Sequence, residues 1–257
     1  MLRSRGAEGW RSAFAPAVLL VLLLAAAPGG AAPSGPHPPR GPDLPIEPAV
    51  PGPWTNLSTA GGPAPPPTVG GALANDSHDL EDLWFGGSNG SGPGASGLTW
   101  IFQNGSWTNL TATLPLAPPA RSFAAMAYDP EVAGVVLFGG LGDPTYLNDT
   151  WVWKDGAWTN FTAPAGRAPP ARTESGMTYD LASGELLLFG GIGSSGPLAD
   201  SWEFSAGRWN PLTPYASPPA ACCGAMAYDP VSSAAILVLS PAGTRTLDTW
   251  SFATGTW

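Results

Sequence analysis

The chain has 257 residues, a net charge of −9 and only 11% charged side chains, yet it holds 34 Gly, 31 Pro and 12 Trp. Disordered chains are poor in aromatic residues because they have no core to hold them, whereas 10% of this chain is aromatic. Residues 53–257 carry 16 acidic and 6 basic side chains, a balance that repels nucleic acid and anionic membrane surfaces and argues against both as partners.

Arg3, Arg5 and Arg11 precede the apolar run Ala13–Ala27, and small residues follow to Ala32. That pattern reads as a signal peptide over residues 1–32. The run is 15 residues long, short of the roughly 20 that span a bilayer. An uncleaved signal anchor is the alternative, and only then does the chain touch a membrane. Residues 33–52 are Pro-rich and predict an extended, semi-rigid spacer. The rest of the chain is expected outside the cytoplasm, extracellular or at the cell surface.

From residue 53 onward the sequence repeats. Four units superimpose, about 65–111, 118–162, 169–213 and 218–257. A first Trp falls at Trp100, Trp151, Trp202 and Trp250, and a second at Trp107, Trp158, Trp209 and Trp257. A Gly pair stands at Gly86-Gly87, Gly139-Gly140 and Gly190-Gly191. In the second unit the pattern predicts strands over Ser122–Asp129, Val135–Phe138, Thr150–Trp153 and Trp158–Phe161. Asp155-Gly156 links the last two, and a two-residue hairpin turn needs positive φ at both positions. Asn104-Gly105, Ala206-Gly207 and Thr254-Gly255 stand at the matching places. Four strands in about 50 residues make a propeller blade, so the expected fold is all-β: a β-propeller of about four four-stranded blades over residues 53–257. The first Trp of each pair is expected to be buried between blades.

These features resemble the kelch family: the apolar strand ending in Gly-Gly, the aromatic third strand and the paired Trp. The Arg of PPAR (Arg121, Arg172) and the Tyr-Asp pairs (Tyr128-Asp129, Tyr179-Asp180, Tyr228-Asp229) also fit, and the resemblance extends to exported prokaryotic kelch-like proteins. The sequence departs from the pattern at Asn75-Asp76, at Thr68 and Ala221 in place of the Arg, and at Ser240-Pro241 in place of Gly-Gly. The resemblance implies closure with six or seven blades, and four are few. Either the chain is part of a longer propeller, or Pro53–Leu57 (PWTNL) supplies a fourth strand to the last blade and removes an exposed edge.

Chemistry-bearing residues are sparse. His37 lies in the spacer and His78 in an acidic turn, so the histidines needed for a copper centre, as in the galactose oxidase that shares the propeller architecture, are not available. Asp76, Asp79, Glu81 and Asp82 read as a charged hairpin turn, with Ca²⁺ as the alternative. Asp149, Asp200 and Asp248 read as turn-capping acceptors, with a shared axial ion as the alternative. Cys222 and Cys223 read as small buried side chains in a strand, with a vicinal or intermolecular disulfide as the alternatives. Asn56, Asn75, Asn89, Asn104, Asn109, Asn148 and Asn160 each open an N-x-S/T sequon, and in an exported protein they are candidate glycosylation sites. No catalytic, cofactor-binding or metal-ligating residue is assigned.

The expectation is therefore a secreted or surface-bound binding or scaffold module, not an enzyme, with a protein or glycan partner and no cofactor. Its contact surface would be the loops at 88–97, 141–148, 192–199 and 241–247, together with the Pro-rich links between units. The alternatives are a carbohydrate isomerase or oxidase, for which Arg121, Arg172 and Glu174 are the channel candidates, and a passive envelope component.

Overall fold

The computed structural model describes residues 62–89, 94–163 and 165–257. The signal segment, the spacer, His37, Asn56 and the PWTNL strand lie outside the described residues. Among those described there is no helix, and four small antiparallel sheets are arranged as a four-blade β-propeller.

Blade 1 holds β1 (Val69–Asp76), β2 (Glu81–Ser88), β3 (Thr99–Gln103) and β4 (Ser106–Asn109). Blade 2 holds β5 (Ala125–Asp129), β6 (Gly134–Phe138), β7 (Thr150–Lys154) and β8 (Ala157–Asn160). Blade 3 holds β9 (Gly176–Asp180), β10 (Glu185–Phe189), β13 (Ser201–Ser205) and β14 (Arg208–Leu212), with a small hairpin of β11 (Ile192–Gly193) and β12 (Gly196–Pro197) in its loop. Blade 4 is a three-stranded sheet of β15 (Ala221–Asp229), β16 (Ala234–Pro241) and β17 (Asp248–Phe252). The innermost strands pack in series, β1 on β5, β5 on β9 and β9 on β15.

The hairpin dipeptides behave as the turn requires: φ is +51° and +74° at Asp155-Gly156, and Asn104-Gly105, Ala206-Gly207 and Thr254-Gly255 share the sign. The innermost strand of blade 2 starts three residues later than the pattern predicts. Phe123 has φ +55° and breaks the ladder, leaving Ser122 in an isolated bridge to Leu141.

Three contacts recur at the blade boundaries. First, the second Trp of blades 2, 3 and 4 reaches back to the blade before it. Trp158, Trp209 and Trp257 pack on Phe85, Phe138 and Phe189 at 5.3, 5.0 and 5.2 Å between ring centres. Their Nε1 donate to the hydroxyls of Thr99, Thr150 and Ser201 at 3.1, 2.9 and 2.9 Å. Second, the Gly pair joins backbone to backbone: Gly87, Gly140 and Gly191 donate N–H to the carbonyls of Arg121, Arg172 and Ala221 in the following blade. A Cβ on Gly139 would stand 2.7 Å from the Arg172 carbonyl oxygen, and φ there is +64°, so only glycine permits this approach. Third, the aliphatic back of each sheet meets the Trp-bearing front of the next, and Ala74, Leu83 and Phe85 share a core cluster with Leu137, Trp151 and Trp153.

The first Trp is buried in blades 1, 2 and 3, at 7%, 4% and 5% exposure for Trp100, Trp151 and Trp202. Trp250 is only half-buried, unlike the expectation for the set. The back of blade 4 is left uncovered: Ala225, Ala227, Thr249 and Ser251 are exposed, and Ile236 and Val238 are half-buried.

Candidate functional site

Where the innermost strands begin, four residues occupy one repeat position: Gly70, Phe123, Glu174 and Cys223. All four lie in the left-handed region, with φ +68°, +55°, +59° and +61°. The backbone links them in sequence, the Phe123 N–H donating to the Gly70 carbonyl at 2.6 Å and the Glu174 N–H to the Phe123 carbonyl at 3.0 Å. A left-handed conformation costs a non-glycine residue about 1–2 kcal/mol, and strain of this kind concentrates at functional positions. The Phe123 ring lies against Gly70, where an added Cβ would meet it at 2.6 Å. One backbone geometry therefore presents an aromatic, a carboxylate and a thiol around an inner rim. Bridges Ser122 to Leu141 and Thr173 to Ile192 put the rim on the same face as the loops at 141–148 and 192–199.

The cysteines are not the buried pair that the sequence suggests: Cys222 is half-buried and Cys223 exposed, both as free thiols. The register of β15 against β16 shifts between Cys222 and Ala225, the mark of a bulge. The Cys223 Sγ lies 2.8 Å from the Cys222 Sγ and 2.8 Å from the Glu174 Oε2. Although Cys223 is exposed as a residue, partial desolvation of its sulfur pushes the thiol up, and hydrogen bonding with Cys222 and Glu174 adds to this.

Arg121 and Arg172 are not channel residues. The Arg121 Nη1 and Nη2 grip the Asp149 Oδ1 and Oδ2 at 2.6 and 2.7 Å, while Nη1 also donates to the Gly139 carbonyl and Nε to the Pro119 carbonyl. Arg172 repeats this with Asp200, Gly190 and Pro170. Both Arg side chains are fully buried. Asp149 and Asp200 are thus ion-pair partners rather than turn caps, and each also accepts the Nε1 of the Trp two residues on. Although burial works the other way, hydrogen bonds and charge from Arg121 and Arg172 hold both carboxyls below the usual range. Blade 1 has Thr68 and Leu98 at these positions, and the buried Trp100 Nε1 there lacks a partner. The pair was legible as an Arg and an Asp 28 residues apart in two units and absent together from the first. Blade 4 keeps Asp248 but has Ala221 in place of the Arg.

The acidic cluster lies on the opposite face. Asp76 caps a turn by accepting the N–H of His78 and Asp79, Asp82 accepts from Asn75, and the buried Glu81 accepts the Nε1 of Trp153 from blade 2. Exposed His78 lies 2.9 Å from Asp79, whose other oxygen accepts the Asp155 N–H. Asp129, Asp180 and Asp229 cap the equivalent turns. The buried Asp76 Oδ2 has no partner, and neither has that of Asp129, which stands outside any acidic cluster, whereas the matching oxygens of Asp180 and Asp229 accept from Ser183 and Ser232.

Six of the sequon residues, Asn75, Asn89, Asn104, Asn109, Asn148 and Asn160, are exposed. At two of them the motif also has a structural duty. The Asn109 and Asn160 side chains accept the N–H of Thr111 and Thr162, whose hydroxyls accept the N–H of Thr99 and Thr150.

The fold and rim define a β-propeller with a strained inner ring and divergent loops on one face. Against known protein families the chain matches no family, and against curated proteins it matches none.

Proposed function

We propose that this is a kelch-type propeller acting outside the cytoplasm as a binding module, whose rim face holds a protein or glycan partner. The observation that carries the reading is the contrast between frame and loops. The Trp-to-hydroxyl bond, the Phe contact and the Gly N–H bond recur at every described boundary. The loops on the rim face share almost nothing: LGDPTYLN at 141–148, IGSSGPLA at 192–199 and PAGTRTL at 241–247. A constant scaffold under unlike loops suits recognition. Arg121 and Arg172, on which a carbohydrate-enzyme reading would lean, are buried and consumed by ion pairs with Asp149 and Asp200. The apolar run at residues 13–27 and the exposed sequons support export and N-glycosylation.

The test is a binding screen of the mature chain against a panel of glycans and purified surface proteins. A rim variant (Asp143→Ala, Tyr146→Ala, Arg245→Ala) should lose a bound partner. A variant of the opposite face (Glu131→Ala, Asp155→Ala) should keep it. Equal binding by both would refute the rim as the contact surface.

A further inference from the structure

We propose that Glu174, Cys222 and Cys223 form a binding site for one thiophilic divalent cation of the zinc class. In a regular strand, neighbouring side chains point to opposite faces, so Cys222 and Cys223 should diverge. They do not, because Cys223 sits at φ +61° beside the bulge in β15, and a bulge re-aims a side chain. Glu174, in blade 3, is turned by its own left-handed conformation at φ +59°. Two separate backbone irregularities in two blades thus bring two sulfurs and a carboxylate within 4.8 Å of one another.

The donor set selects the ion. Two thiolates favour a soft or borderline cation, and a carboxylate is a common third ligand of zinc. Calcium and magnesium want oxygen donors alone and are disfavoured. Two sulfurs about 2.3 Å from a tetrahedral ion stand about 3.7 Å apart. The 2.8 Å thiol contact must therefore open by about 0.9 Å, a small rotation about χ1. Binding sends the two thiol protons to solvent. Among the described residues Glu174 forms no ion pair with a cationic side chain, so no lysine or arginine competes for its charge. Three protein donors and the exposure of Cys223 leave a fourth position open on the rim. A closed structural site would not have that opening. This site goes beyond the partner-binding reading and does not depend on it, because its readout is metal.

The experiment titrates the reduced full chain with Co²⁺ as a spectroscopic probe and then displaces it with Zn²⁺. The expected result is a sulfur-to-cobalt charge-transfer band that saturates at one equivalent and disappears on adding zinc. Cys222→Ser and Cys223→Ser should each abolish it. Glu174→Gln should keep the band and weaken zinc affinity at least tenfold. Glu174 is half-buried at the rim, so its variant folds even if a cysteine variant does not, as an unchanged melting temperature without metal will show. Absence of the band at equimolar cobalt overturns the proposal, and so does a Glu174→Gln chain that binds zinc as tightly as the native one.

Discussion

The Nε1 of Trp158 donates to the Thr99 hydroxyl across the boundary between blades 1 and 2, at 3.1 Å and 59 residues apart in sequence. The same indole is 3% exposed and meets the Phe85 ring edge-on. Trp158→Phe keeps most of that packing and removes the bond, so it should cost about 0.5–1.5 kcal/mol. Trp158→Ala should cost about 3–5 kcal/mol. Urea denaturation of the two variants separates the contributions.

Trp151 is covered by a neighbouring blade and Trp250 only half so. Trp151→Ala should therefore cost about 3–5 kcal/mol, and Trp250→Ala clearly less. Equal shifts in the denaturation midpoint would show that the back of blade 3 covers Trp250 as well as the back of blade 1 covers Trp151.

The Arg121–Asp149 pair can be exchanged for the alternative that blade 1 already uses. Arg121→Thr alone strands a buried carboxylate and should cost about 3–5 kcal/mol. Adding Asp149→Leu reproduces the Thr68/Leu98 combination and should recover most of that loss. A double variant less stable than the single one would mean that Asp149 stabilises the fold without its Arg, through the bond it accepts from Trp151.

Gly139→Ala and Gly156→Ala both place a side chain at positive φ, +64° and +74°, but only Gly139 faces a carbonyl, that of Arg172, while Gly156 has open space. Each should lose about 1–2 kcal/mol for the left-handed backbone, and Gly139→Ala should lose more. The excess measures the closeness of the blade 2–blade 3 approach, read from thermal or urea unfolding.

Glu203 is the pH-sensitive group between blades 3 and 4. Burial, and then the hydrogen bond and charge of Glu185, push its carboxyl up from 4.5 to about 7. A carboxyl raised in the folded state is easier to ionise in the unfolded chain. Its contribution is most favourable below pH 4.5, falls as the pH rises to about 7 and is level above that. Asp129, raised by burial to about 6, adds to the fall at lower pH. Glu203→Gln should flatten the stability curve between about pH 4.5 and 7, and an unaltered slope there would exclude Glu203 as its source.

The blades were legible because the repeat places the same residue types in phase, and the Gly pair and hairpin dipeptides each demand positive φ. The inner rim was not legible, since Gly70, Phe123, Glu174 and Cys223 share a conformation and no chemistry. Nothing in FAA, ESG or CGA announces a left-handed residue. The cysteines do lie in a strand, β15, as expected, but they are not the buried pair: the bulge turned Cys223 out. Arg121 and Arg172 stood among the channel candidates because their partners lie 28 residues on, a distance that only the sheet closes.

Pro241 stands in blade 4 where Gly87, Gly140 and Gly191 donate to the next blade. A proline has no N–H to give, so whatever settles on the bare back of this sheet does so without the backbone bond used at the other boundaries. Propeller units are built to stack on their own kind, and a repeat that stacks without limit forms open, head-to-tail assemblies. With that donor withheld, a second copy stacking on this sheet would bring a carbonyl with no N–H to meet it, which makes the contact weaker than those between blades within the chain.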